Sequence, residues 1–153
     1  MTSDTPGVIA PPPVILLGGL VLGTVAERLH PLPWVPAGVR TAVGALIVVS
    51  AVAFFVLAIR EFRAADTPVQ TRKPTRAIVS TGPYRFSRNP IYLSFAFLEL
   101  GIAVWTDSAW FLVALVLTVA VITTGVIVRE ERYLERKFGE PYLEYKRKVR
   151  RWL

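Results

Sequence analysis

Two short polar segments carry the residue types in this chain that can do chemistry. One is the cassette Gly82-Pro83-Tyr84-Arg85-Phe86-Ser87-Arg88-Asn89-Pro90-Ile91-Tyr92; the other is the adjacent acid pair Glu130-Glu131. An arginine presents a rigid fork of N–H donors that suits a carboxylate. Neighbouring carboxylates suit a cation, and tyrosines offer ring faces and hydroxyls. Set together at the water edge of a helical bundle, these groups can hold a small charged ligand beside lipid. Each also has a plainer reading. Arg88 alone is a membrane-surface arginine, Tyr84 and Tyr92 alone are interfacial tyrosines, and Glu130-Glu131 alone is a solvated pair offset by Arg129 and Arg132.

The elements that must position these groups are apolar runs. The chain has 153 residues, a length that suits one domain (1–153), and 53% of them are hydrophobic, above the roughly 45–50% usual for soluble proteins. Residues 7–26, 41–59 and 108–128 contain no charged residue, and residues 90–106 contain only Glu99. A bilayer core about 30 Å thick needs roughly 20 helical residues. The expected fold is therefore an all-α integral membrane protein with four transmembrane helices, the third being short. The leading residues 1–5 carry an acid and no basic residue, so the first run lacks the charged n-region of a secretory signal. Its helix is expected to begin near Pro13, because proline is tolerated in a first helical turn.

Charge fixes the expected orientation. Of 18 Lys and Arg, seven lie in residues 60–88 and nine in 129–151, leaving Arg28 and Arg40 for the other connection. Basic loops mark the cytoplasmic side, and with four spans both rich segments fall on that side, as do both termini. Attraction to anionic lipid accounts for the basic tail without nucleic acid as a partner. There is no cysteine and one histidine, His30, in a Pro-rich connection with Trp34. Thiolate chemistry and Cys-based metal sites are thereby excluded, and no metal is expected. Gly18, Gly19, Gly23 and Gly44 lie within the first two spans, where small residues let helices approach closely.

Further along, residues 64–81 form a long polar connection, in which 77–79 are expected to lie extended along the bundle. Asn89-Pro90 reads as an N-cap followed by a first-turn proline. Only Thr106-Asp107 separates the third and fourth runs, which demands an antiparallel helical hairpin. That hairpin brings the cassette and the acid pair together in space. The fourth helix continues to Phe138, Gly139 ends it, and Pro141 restarts a cytoplasmic C-terminal amphipathic helix. Its Tyr142, Tyr145, Val149 and Trp152 share one apolar face suited to a membrane surface. Glu99 is the one acid in mid-span, where a carboxylate is costly to bury. Lying seven residues after Tyr92 on the same helical face, it is expected to point toward the ligand zone. It is either a functional amine partner or proton acceptor, or a protonated structural residue.

Taken together, Gly82-Pro83-Tyr84, Arg88-Asn89-Pro90-Ile91-Tyr92 and Glu130-Glu131 with Leu134, Phe138-Gly139, Tyr142 and Tyr145 resemble the isoprenylcysteine carboxyl methyltransferase family. Its superfamily takes in bacterial relatives and phospholipid N-methyltransferases. The resemblance covers about residues 60–153. It implies a membrane enzyme that uses S-adenosylmethionine bound on the cytoplasmic side. The family's Arg-His-Pro-x-Tyr and Glu-Glu elements fall on Arg88, Pro90, Tyr92, Glu130 and Glu131. Asn89 stands where the family has histidine; it hydrogen-bonds but cannot titrate.

For such a ligand Glu130 or Glu131 suits the ammonium and Arg88 the carboxylate, while Ile78, Val79, Tyr84, Tyr142 and Tyr145 offer walls for adenine. Arg88 and Glu99 are the catalytic candidates. The expected activity is methyl transfer to a lipophilic acceptor reached from the bilayer. Carboxyl O-methylation of a prenyl-thio acid comes first, and N-methylation of a lipid amine or a non-catalytic membrane subunit are the alternatives.

Overall fold

The computed structural model describes residues 5–68 and 74–153. Part of the long connection expected over residues 64–81, including Arg72 and Lys73, lies outside the described residues, as do residues 1–4. Among the described residues all regular structure is helical. Helix α1 spans Pro12–Leu29 and α2 spans Ala37–Ala64. A 3-10 turn, Gly82–Arg85, precedes α3, Pro90–Trp105. Helix α4, Trp110–Ile122, runs through a π-turn, Thr123–Ile127, into α5, Val128–Phe138. Helix α6, Glu140–Lys148, closes the order.

The local signals behave as elementary stereochemistry requires. Pro12 and Pro90 sit in first turns, where the missing N–H has no intrahelical partner. Gly139 ends α5 at φ +59, a conformation that a Cβ disfavours. Three helices are long and apolar enough to cross a membrane: Pro12–Leu29, Ala37–Ala64 and the continuous rod Trp110–Phe138. Helix α3, at 16 residues, is about 24 Å long at the α-helical rise. Outward faces are apolar and exposed, through Val14, Leu17 and Val21 on α1 and Leu46, Val49 and Val52 on α2.

The core lies where α1, α3 and the long rod meet. Leu16, Tyr92, Phe95, Ile122, Val126 and Ile127 form one buried cluster. Helices α2 and α3 share the most extensive contact, and glycine makes it possible. A Cβ at Gly44 would stand 2.5 Å from the backbone nitrogen of Trp105, so only glycine admits that approach. Gly19 and Gly23 face Glu99 and Phe111 in the same manner, whereas Gly18 faces open space.

At the end of the bundle away from the cassette, the turn over residues 106–109 is latched to the α1–α2 connection. Asp107, at φ +55, accepts hydrogen bonds from the backbone N–H of Trp34 (2.7 Å) and Val35 (2.6 Å) and from Arg40 Nη1 (3.3 Å). These bonds hold its carboxyl below the usual aspartate range. Trp110 Nε1 donates to the His30 carbonyl at 2.7 Å.

The C-terminal segment departs from its expected place. The helix ends at Lys148, so Val149 and Trp152 lie beyond it. The apolar face expected on a membrane surface is turned inward: Tyr142 is buried, and Trp152 packs against the core cluster. The physical reason is that the helix end and the residues after it find hydrogen-bond partners in the cassette.

Candidate functional site

Each wall of the site is fixed by local chemistry. Gly82 turns the chain at φ +55, and a Cβ there would fall 2.6 Å from Glu61 Oε1. The Thr81 hydroxyl donates to the Glu61 carboxylate, pinning the cassette to the end of α2. Tyr84 then packs against Phe62, with ring centroids 5.3 Å apart and the ring planes tilted by 52°, and joins Ala58 and Val79 in a small buried cluster. Asn89 precedes α3 without capping it through its side chain. That side chain turns to the C-terminal segment, where Nδ2 donates to the Arg151 carbonyl at 3.0 Å.

Arg88 and Glu131 meet directly. Arg88 Nη2 donates to Glu131 Oε1 at 2.8 Å, and both side chains are under one-tenth exposed, at 8% and 7%. Arg88 Nη1 donates to the carbonyls of Lys146 (2.9 Å) and Val149 (3.0 Å), collecting the C-terminal end of α6. Its backbone N–H donates to the Arg150 carbonyl at 2.9 Å. Arg151 grips the same acid from the other side, with Nε to Oε1 at 3.0 Å and Nη2 to Oε2 at 2.8 Å. Glu131 is therefore satisfied within the chain. Arg88 Nε is buried without a hydrogen-bond partner among the described residues.

Glu130 differs. The Tyr92 hydroxyl donates to its Oε1 at 2.9 Å, and among the described residues its other oxygen has no hydrogen-bond partner. Tyr145 donates its hydroxyl to the Tyr84 carbonyl at 2.8 Å and lies against Tyr142, joining α6 to the cassette. Burial pushes the hydroxyls of Tyr84, Tyr142 and Tyr145 well above the ordinary tyrosine range, so all three stay neutral.

These groups surround one cavity, with about 840 Å³ of empty space including its open mouth. Ten of the expected cofactor-binding residues line it: Ile78, Val79, Tyr84, Arg88, Asn89, Tyr92, Glu130, Glu131, Tyr142 and Tyr145. Pro90 does not; it is buried in the first turn of α3. Glu99 does not line it either. It lies fully buried between α1, α3 and α4, accepting from Thr118 Oγ1 at 3.0 Å, with Oε2 unpartnered among the described residues.

Sequence reasoning missed Arg151, one of several basic residues in the tail with nothing to distinguish it. It also missed Pro6 and Tyr133, which line the cavity too. Tyr133 carried a weak signal, since it stands beside the acids on the charged end of the rod.

A buried acid fixed between two arginines, a second acid with an open oxygen, and a three-tyrosine wall suit a zwitterionic, partly aromatic ligand. Comparison with known proteins agrees in class. The phospholipid methyltransferase family matches residues 39–141, from α2 through the cassette and the acid pair to the start of α6. An uncharacterized protein of Haemophilus influenzae is 41% identical over 63 residues, 41% of this chain and all of that protein. No solved structure matches. With two-thirds of its length matched, including both polar motifs, the chain belongs to the phospholipid methyltransferase family.

Proposed function

We propose that this protein is an S-adenosylmethionine-dependent methyltransferase acting on a lipophilic acceptor drawn from the bilayer. The observation that carries the reading is the cavity in which Glu130 and Arg88 stand among Tyr84, Tyr142 and Tyr145. The donor set fits the cofactor: an acid with one open oxygen for an ammonium, an unpartnered guanidinium N–H for a carboxylate, and apolar and aromatic walls for a purine. S-adenosylmethionine, when bound, supplies a sulfonium methyl group for transfer to a nucleophile.

The chain's own residues bind, orient and exclude water. Glu130 is the ammonium partner, because the pairing of Glu131 with Arg88 and Arg151 removes it from that role. Tyr92 positions Glu130, and Arg88 lines the cavity with Nε–H unpartnered among the described residues while Nη1 holds the end of α6 and Nη2 holds Glu131. The α6 tyrosines roof the site. Holding donor and acceptor in line and dry supplies much of the acceleration such a displacement needs.

The acceptor we favour is the carboxylate of a prenyl-thio acid, as in the isoprenylcysteine carboxyl methyltransferases. A carboxylate needs no base, and Glu99, the one candidate base in mid-span, stands outside the cavity. N-methylation of a lipid amine is the second reading, favoured by the family match itself. In this reading α3 is a fourth, short crossing, forming a hairpin with the rod. The basic residues of 60–88 and 129–151 support an orientation with the site and both termini on the cytoplasmic side of the cytoplasmic membrane.

Calorimetric titration of the detergent-solubilised protein with S-adenosylhomocysteine tests the reading. Saturable binding is expected; its absence overturns it. Transfer of radiolabelled methyl then separates the acceptors, since a methyl ester is base-labile and a methylated amine is not.

A further inference from the structure

Residues 5–10 lead from the cavity, at Pro6, to the π-turn of the rod, at Ile9. Pro6 lines the cavity, and Val8 packs against the buried cluster that contains Tyr92 and Ile127. Ile9 is 55% exposed at the outer edge. Two hydrogen bonds hold this strap: the Ile9 N–H donates to the Gly125 carbonyl at 3.2 Å, and Arg129 Nη1 donates to the Gly7 carbonyl at 2.9 Å. Gly7 bends it at φ +63. Gly125 lies within the π-turn, a local departure from α-helical bonding found frequently at functional sites. Its lack of a side chain seats Ile9, since a Cβ there would stand 2.6 Å from Ile9 Cγ1.

We infer that this strap covers the lateral doorway of the acceptor, and that a lipid hydrocarbon chain takes the place of Val8 and Ile9 against the π-turn to bring its headgroup to Tyr92 and Glu130. This inference rests on the methyltransferase reading. The exchange replaces apolar contact with apolar contact. It gives up one backbone hydrogen bond and one exposed arginine bond, so the strap is held lightly. Tyr92 links the two regions: its ring belongs to the cluster beneath Val8, and its hydroxyl holds the acid in the cavity. Among the described residues the strap's hydrogen bonds go to Gly125 and Arg129 and none to Arg88, Glu131 or α6, so the bonds on the donor's side of the cavity are kept when it moves.

The sequence supplies a clean test because it contains no cysteine. In the double variant Ile9→Cys with Gly125→Cys, the position of Ile9 Cγ1 relative to a Cβ at 125 is close to what a disulfide requires. The probes are S-adenosylhomocysteine for donor binding, and a farnesyl thioether carboxylic acid or a phosphatidylethanolamine vesicle for methyl transfer. Oxidation is expected to lower transfer by at least about tenfold, thiol reduction to restore it, and donor affinity to stay within about twofold throughout. Equal transfer by the oxidised and reduced forms overturns the doorway and leaves the methyltransferase reading standing. Donor binding with no transfer to either probe in the reduced form overturns the acceptor class, and the doorway with it. Loss of donor binding on oxidation also overturns the doorway, because the crosslink then acts on the whole cavity. The single variant Arg129→Ala gives a second reading with no crosslink: a change of severalfold in acceptor KM is expected at unchanged donor affinity, and an unchanged KM counts against the strap.

Discussion

Replacing Arg88 by alanine removes the fork that joins three parts of the site. The guanidinium donates to Glu131 at 2.8 Å and to the Lys146 and Val149 carbonyls at 2.9 and 3.0 Å. With the Arg88 and Glu131 side chains 8% and 7% exposed, water screens the pair little. Breaking such a buried pair by removing one partner costs about 3–5 kcal/mol. Arg151 still contacts Glu131 through two bonds, which places the loss near the lower end, about 3 kcal/mol. At about 1.4 kcal/mol per factor of ten, the ratio of docked to undocked α6 falls on the order of 100-fold. The bundle does not depend on these bonds, so the loss is local. Hydrogen exchange is the direct assay: amides of residues 143–149 are expected to lose protection while those of α2 and α3 keep theirs. Affinity for S-adenosylhomocysteine should fall with the loss of the α6 roof. Arg88→Lys restores charge without the planar fork and should recover only part of the effect. Arg151→Ala should cost less, about 1 kcal/mol or below, since that side chain is 38% exposed and solvent screens it. Wild-type protection of α6 together with wild-type affinity in Arg88→Ala would refute the assignment of this network as the clasp of the site.

Two further outcomes follow from other parts of the structure. Glu130→Gln keeps an acceptor for the Tyr92 hydroxyl but removes the charge, so S-adenosylhomocysteine affinity should drop about 10- to 100-fold, the size of a charge-assisted hydrogen bond; calorimetry on a variant of unchanged circular dichroism checks it. Asp107 has a depressed folded-state pKa, so its contribution to the latch is present above the ordinary aspartate range and is lost as pH falls through the depressed value. Acidification should therefore loosen the connection at Trp34 and change that tryptophan's fluorescence, and Asp107→Asn should abolish the dependence.

The parts of the fold legible in the sequence were those governed by composition and by single-residue stereochemistry. The three long spans need only count and hydropathy, and the helix boundaries at Pro12, Pro90 and Gly139 need only proline's missing N–H and glycine's positive φ. The approach of the cassette to Glu130-Glu131 needs no more than the order of helices along the chain. Helix α6 was different. Its pattern of Tyr142, Tyr145, Val149 and Trp152 described an apolar face, but periodicity does not say what covers the face. The cover is the cassette, through Tyr145 on the Tyr84 carbonyl and Arg88 on the last carbonyls of the helix. Arg151 was hidden for a related reason. Nine basic residues lie in 129–151, and the one that reaches Glu131 is selected by the fold of the tail after Lys148. The π-turn left a faint trace in Thr123 and Thr124, whose hydroxyls donate to the carbonyls of Val119 and Ala120.

The sequence suggested that Arg88 and the acid pair grip one ligand from two sides; under the proposed function that labour is divided. Arg88 and Glu131 bond each other and, with Arg151, join α6 to the cassette, whereas among the described residues one oxygen of Glu130 and Arg88 Nε have no hydrogen-bond partner. The division has a physical logic. A nine-residue amphipathic helix at a membrane edge has lipid as a competing apolar surface, so hydrophobic contact alone does not choose the cassette over the bilayer. A buried ion network does choose, because its carbonyl acceptors and carboxylate have no equivalent in a lipid tail. Among the described residues Glu130 has no cation of its own and stands in the cavity with neutral tyrosines. An acid in that position is more open to a cationic ligand group than one already paired, so the residues that close the site also leave an acid free for such a group.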